Sequence, residues 1–66
     1  MHIQLNGDQR ELASQLTISE LIDQLALTGR RIAVEVNEEI VPRSQHAETR
    51  LSPGDRVEIV HAIGGG

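Results

Sequence analysis

Only one stretch of this chain has the period of a helix, and it is short. Ile18, Leu21, Ile22 and Leu25 fall at i, i+3, i+4 and i+7, the spacing that lines one face of an α-helix. The segments around it alternate instead. A helix this short does not persist alone in water. It must lay its apolar face on a sheet made from the rest of the chain, and 66 residues provide for one such domain and no more.

The helix carries its own boundary signals. Thr17-Ile18-Ser19-Glu20 fits a capping box, in which the Thr17 hydroxyl accepts from the Glu20 amide and the Glu20 carboxylate accepts from the Thr17 amide. The pattern predicts a helix from about Ile18 to Leu25. Gly29, two residues beyond Leu27, is expected to stop it.

Met1, Ile3 and Leu5 alternate with His2 and Gln4, the period of a half-buried strand. Asn6-Gly7 then suits a tight hairpin turn. A poorer strand is expected from about Gln9 to Ala13, at a sheet edge because Leu12 is its only strongly apolar residue. Beyond the helix, Ile32, Val34 and Val36 alternate clearly. Asn37-Glu38-Glu39 turns the chain into a brief strand at Ile40-Val41, which Pro42 ends. Arg43 to Arg50 is polar and aperiodic, a loop with a helical turn. Ser52-Pro53-Gly54-Asp55 places Pro and Gly as a type II turn requires. A last strand runs from Arg56 to His61 or beyond, with Val57 and Ile59 inward and Glu58 and Val60 outward. The expected core is Ile3, Leu5, Leu12, Ile18, Leu21, Ile22, Leu25, Val34, Val36, Val57 and Ile59.

Hairpin, helix, strand, short strand, last strand is the element order of the ubiquitin-like β-grasp. The expected fold is therefore α+β: a mixed sheet of four or five strands with one main helix across it, the last strand parallel to the first. Such a parallel pair needs a long crossover, which residues 14 to 55 supply. Residues 1–63 form the expected single domain, and 64–66 a flexible glycine tail.

Gly64-Gly65-Gly66 follows the last strand directly. Without Cβ atoms, such a tail can thread a channel too narrow for other residues and present the Gly66 carboxylate at its far end. A frayed end is the plain alternative.

Composition narrows the function. There is no Cys, and no Phe, Tyr or Trp, so disulfides and Cys-based metal sites are excluded and the core is aliphatic. A core that small leaves no room for a buried ligand pocket, which counts against a self-contained enzyme. Net charge is −4, and no aromatic residue is available for base stacking, so nucleic acid is a poor partner. No segment approaches the length of a membrane span, and residues 1–5 do not read as a signal peptide. A soluble, cytoplasmic monomer is expected. All six basic residues are Arg. That would spare an activated carboxyl an attack by the chain's own lysines, or it is simple compositional drift.

With these elements in place, the chain resembles the ThiS family, the small sulfur carriers of thiamine biosynthesis. The resemblance lies in Thr17-Ile18-Ser19-Glu20-Leu21, in Ala33-Val34-Glu35-Val36-Asn37 with Ile40-Val41-Pro42-Arg43, in Pro53-Gly54-Asp55-Arg56-Val57-Glu58-Ile59-Val60, and in Ala62-Ile63-Gly64-Gly65-Gly66. One departure is His46, where many members carry an aromatic residue. The resemblance implies that the chain is not an enzyme and binds no cofactor itself. An adenylating partner would use ATP and Mg²⁺ to activate the Gly66 carboxylate. Sulfur from a persulfide donor would convert it to a thiocarboxylate, and thiazole synthase would take the sulfur. Gly64, Gly65, Ile63, Ala62 and Val60 would then contact partners. A ubiquitin-like protein modifier, or a carrier for another pathway such as molybdopterin synthesis, shares the terminal glycines and stays open.

His2, His46 and His61 lack metal-ligand spacing and any accompanying nucleophile. His2 and His61 read as solvated or sheet-edge residues, conceivably neighbours on adjacent central strands. Val60, Ala62 and Ala33 would make a small apolar patch rimmed by Glu35 and Glu58. It is either a partner surface or ordinary exposed aliphatics.

Overall fold

The first and last strands pair in parallel at the middle of one sheet. The computed structural model describes residues 1–13 and 15–61. In chain order it contains β1 (His2–Leu5), β2 (Asp8–Glu11), α1 (Ile18–Gln24), β3 (Ile32–Val36), β4 (Glu39–Val41), a 3-10 helix (Arg43–Gln45) and β5 (Arg56–His61). The strands are ordered β2-β1-β5-β3-β4. Only the β1–β5 pair is parallel, with Gln4 opposite Arg56 and Leu5 opposite Val57. This is the ubiquitin-like β-grasp.

The turns explain the register. Asn6 and Gly7 have φ of 50° and 88°, which suits a two-residue hairpin, and Leu5 pairs with Asp8. The second strand therefore starts one residue earlier than the apolar pattern predicts and ends at Glu11. Leu12 lies just beyond it, buried, exchanging backbone hydrogen bonds with Met1. At the Ser52–Asp55 turn, Gly54 has the positive φ of a type II turn, 86°. The Asp55 amide closes it on the Ser52 carbonyl at 3.1 Å.

The core is the inner face of the sheet covered by α1. Ile3, Leu12, Ile18, Leu21, Ile22, Val34, Val57 and Ile59 are buried as expected. Each such side chain contributes about 1.5–3 kcal/mol when fully buried. Leu5, Leu25 and Val36 are only partly buried and pack against this cluster. Two leucines outside any periodic run complete it: Leu16 and Leu51. Their segments zip together, the Leu51 amide donating to the Leu16 carbonyl at 2.8 Å and Thr17 bridging Arg50. Leu16 stands directly before the Thr17 N-cap, the position from which a hydrophobic staple reaches the first turn of a helix.

The capping box at Thr17 forms as predicted. The Thr17 amide donates to the Glu20 carboxylate at 2.9 Å, and the Glu20 amide donates to the Thr17 hydroxyl at 3.2 Å. The far end differs from expectation. The helix closes at Leu25 on a left-handed Ala26, at φ 59°, ahead of Gly29, which is itself left-handed at 83°. The Ala26 amide donates to the Asp23 carbonyl and the Leu27 amide to the Ile22 carbonyl, both at 3.0 Å, which is a Schellman cap. Leu27 is pulled back against the core by this turn, an apolar contact that offsets the strain of Ala in the left-handed region.

Candidate functional site: the outer face and the end of the last strand

Asparagine amides hold β5 on both sides. On one side the Asn6 side chain accepts from the Ile59 amide at 2.8 Å and donates to the Ile59 carbonyl at 3.2 Å. It thereby continues the pairing where β1 has already turned away. On the other side Asn37 accepts from the Arg56 amide at 3.0 Å and donates to the Asp55 carboxylate, also at 3.0 Å. Both asparagines sit at positive φ in hairpin turns, a conformation Asn tolerates better than most residues. The strand that leads to the glycines is thus fixed along its length.

Strand alternation decides what β5 shows to solvent. Val57 and Ile59 turn inward, while Val60 is 54% exposed. Val60 stands opposite Ala33 on β3, and Glu58 opposite Glu35. Ile40 on β4 pairs with Glu35 and is 69% exposed. Val60 and Ile40 are the large exposed aliphatics of the described residues. The outer face therefore holds a small apolar strip with two carboxylates facing each other beside it. The predicted juxtaposition of Val60, Ala33, Glu35 and Glu58 is present, and Ile40 joins it. Ile40 was legible only as part of a short strand. Its outward direction follows from the register with β3, which the sequence does not fix.

Ala62, Ile63, Gly64, Gly65 and Gly66 lie outside the described residues. The last described residue, His61, pairs with Ile32 at the start of β3, so that corner of the sheet is where residue 62 is attached.

The histidines separate. His2 lies beside Glu11, with Nε2 3.4 Å from its carboxylate, on the side of the sheet away from β3. His61 pairs with Ile32. The two are not neighbours, because the parallel register places Gln4, not His2, at the level where β5 begins. Both are exposed. His46 is different: it is the one buried polar residue of the described set. Its Nε2 donates to the Val41 carbonyl at 2.9 Å, and its carbonyl accepts from the Ser19 amide. It ties the end of β4 to the start of α1 and fills an inner position among aliphatics. Its polar loop context hid that role. No group of His, Cys, Asp or Glu among the described residues could hold a metal ion. No helix among them is long and apolar enough to cross a membrane.

A groove of about 390 Å³ lies between the end of α1 and the 3-10 helix, where Asp23, Leu27, Thr28, Arg30, Ile32 and Arg43 line it. It is shallow and mixed in polarity. The helix cap displaces a carboxyl. Accepting from the Thr17 amide holds the Glu20 carboxyl below its ordinary value, and the Thr17 hydroxyl and the Arg50 charge act in the same direction.

Fold and surface together define a β-grasp domain with fixed strands and an open outer face. The model of the ThiS family matches residues 3–66, and the chain belongs to that family. It is 33% identical over its whole length to the sulfur carrier protein ThiS of Escherichia coli, and covers all of that protein. It is 41% identical to a thiazole synthase of Paramagnetospirillum magneticum, of which it spans only a fifth. The crystal structure of the thiamine biosynthesis protein ThiS from Geobacter metallireducens superimposes with a TM-score of 0.88 at 29% identity, each chain covered in full.

Proposed function

We propose that the chain is a sulfur carrier of thiamine biosynthesis, acted on by partner enzymes rather than catalytic itself. The observation that carries this reading is the family match, which runs through the terminal glycines to residue 66. In this reading the Gly66 carboxylate attacks the α-phosphorus of ATP in an adenylating enzyme, with Mg²⁺, and pyrophosphate leaves. The terminal sulfur of a persulfide then displaces AMP, and a second thiol cleaves the resulting acyl disulfide to release the thiocarboxylate. Thiazole synthase takes that sulfur. A carboxylate is a poor electrophile and the adenylate gives it a good leaving group, so the carrier needs reach more than side-chain chemistry. Three extended residues supply about 10 Å of it.

Val60, with Ala62, Ile63, Gly64 and Gly65, is the proposed contact with partners. The thiazole synthase that contains a related segment supports the pairing of carrier and synthase. The test is incubation with ATP, adenylating enzyme and sulfide, read by intact mass. The expected product gains the mass difference between sulfur and oxygen, at Gly66. An unchanged mass with an active enzyme would overturn the reading. An isopeptide remnant on target lysines in cells would favour a protein modifier instead.

A further inference from the structure

We infer that Arg30, Arg31 and Arg43 form a cationic collar that docks on carboxylates around the mouth of the channel receiving the tail. The inference rests on the carrier reading above and adds the chemistry of the partner's surface.

Three observations support it. First, position: His61 pairs with Ile32, and Arg30 and Arg31 are the two residues before Ile32. Arg43 comes to the same corner, its Nη2 donating to the Arg30 carbonyl at 3.0 Å. Half of the chain's six arginines thus gather where the segment after His61 is attached. Second, availability: all three are exposed. Among the described residues the Arg–carboxylate pair lies elsewhere, at Arg56–Glu38, and so does the His2–Glu11 contact. Asp23, which lines the same groove as Arg30 and Arg43, accepts from the Thr28 hydroxyl at 2.6 Å. Arg56 is the one arginine paired with a carboxylate among the described residues, and of the five others these three share one corner. Third, polarity: Glu35, Glu38 and Glu58 gather around Arg56 at the opposite end of β3 and β5. Val60 and Ala33 stand between the two ends. The sheet thus carries cations at the end where residue 62 is attached and carboxylates at the other, so it docks favourably in only one direction, and that direction sets which end of the sheet meets the channel.

Charges at such a rim govern encounter and orientation more than lifetime. The experiment measures association with the cognate adenylating enzyme at low and physiological salt. It uses the wild type, an Arg31→Glu/Arg43→Glu variant and an Arg10→Glu/Arg50→Glu variant of equal net charge. The collar variant should associate about tenfold or more slowly at low salt, with a flattened salt dependence and little change in dissociation. The control pair should stay close to wild type. Equal slowing by both variants would reduce the effect to net charge, and unchanged association by the collar variant would remove the collar; either overturns the proposal. Arg31→Glu alone removes none of the described hydrogen bonds, and should slow association severalfold if the double variant fails to fold. Wild-type ATP–pyrophosphate exchange is run in parallel. Exchange with collar-independent association refutes the collar alone, whereas a wild type that neither binds nor exchanges refutes the carrier reading and the collar with it.

Discussion

The two faces of the sheet come from the same strands and obey opposite rules. On the inner face Val34, Val57 and Ile59 lie under α1 with the fully buried Ile18 and Leu21. On the outer face their chain neighbours Ala33, Glu58 and Val60 have no cover among the described residues. One face is filled to close a core. The other even sets two carboxylates, Glu35 and Glu58, directly opposite each other, an arrangement that costs stability in a sheet. The difference separates residues kept for folding from residues the fold does not need.

The sharpest way to break this comparison is to damage the inner face. Leu21→Ala should cost about 2–5 kcal/mol as a large-to-small change at a fully buried site, read as a drop in urea midpoint. Near-native stability would show that α1 does not seal the core. On the outer face, Val60→Asp should cost about 1 kcal/mol or less and keep the native circular dichroism, yet weaken binding to the adenylating enzyme. An unfolded variant would mean that Val60 is core and the register of β5 is off by one residue. A smaller effect of opposite sign is expected at the acid pair. Glu58→Gln should stabilise by about 0.2–1 kcal/mol by relieving the like-charge contact, and a loss of stability would show that Arg56 already neutralises it. The least effect belongs to the helix cap. The folded-state value of Glu20 is lowered, so its contribution is present above the ordinary carboxylate range and fades as pH falls through the lowered value. Glu20→Gln keeps a capping acceptor and should flatten that acid limb in urea titrations. An identical pH profile would assign the limb to other carboxylates.

Much of this was legible in the sequence, for physical reasons. Alternation is strict in Ile32–Val36 and at Val57 and Ile59, so their inward direction could be read directly. The capping box names its own hydrogen bonds. What could not be read depends on contacts between distant segments. Leu16 and Leu51 bury because two irregular segments pair with each other, and neither segment has a period. His46 is inward for the same reason. The helix stop moved to Ala26 because apolar packing of Leu27 outweighed the local preference for glycine. At the site, the outward direction of Val60 was legible, while Ile40 and the gathering of Arg43 with Arg30 required the β3–β4 register and the 3-10 helix. The predicted contacts at Ala62, Ile63, Gly64 and Gly65, and the reactive Gly66, lie outside the described residues.

The parallel pairing of β1 with β5 has a kinetic consequence. Asn6 and Ile59 bond across 53 residues of chain, and the central strand is the last of the described strands in chain order. Closing so long a loop must precede the contacts that reward it, which slows folding relative to a domain of local contacts. During synthesis the sheet lacks its middle until β5 has emerged, and until then the aliphatic inner faces of β1 and β3 have no strand between them. The sheet therefore closes only once β5 is made, and a chain cut before Arg56 lacks the strand that joins its two halves.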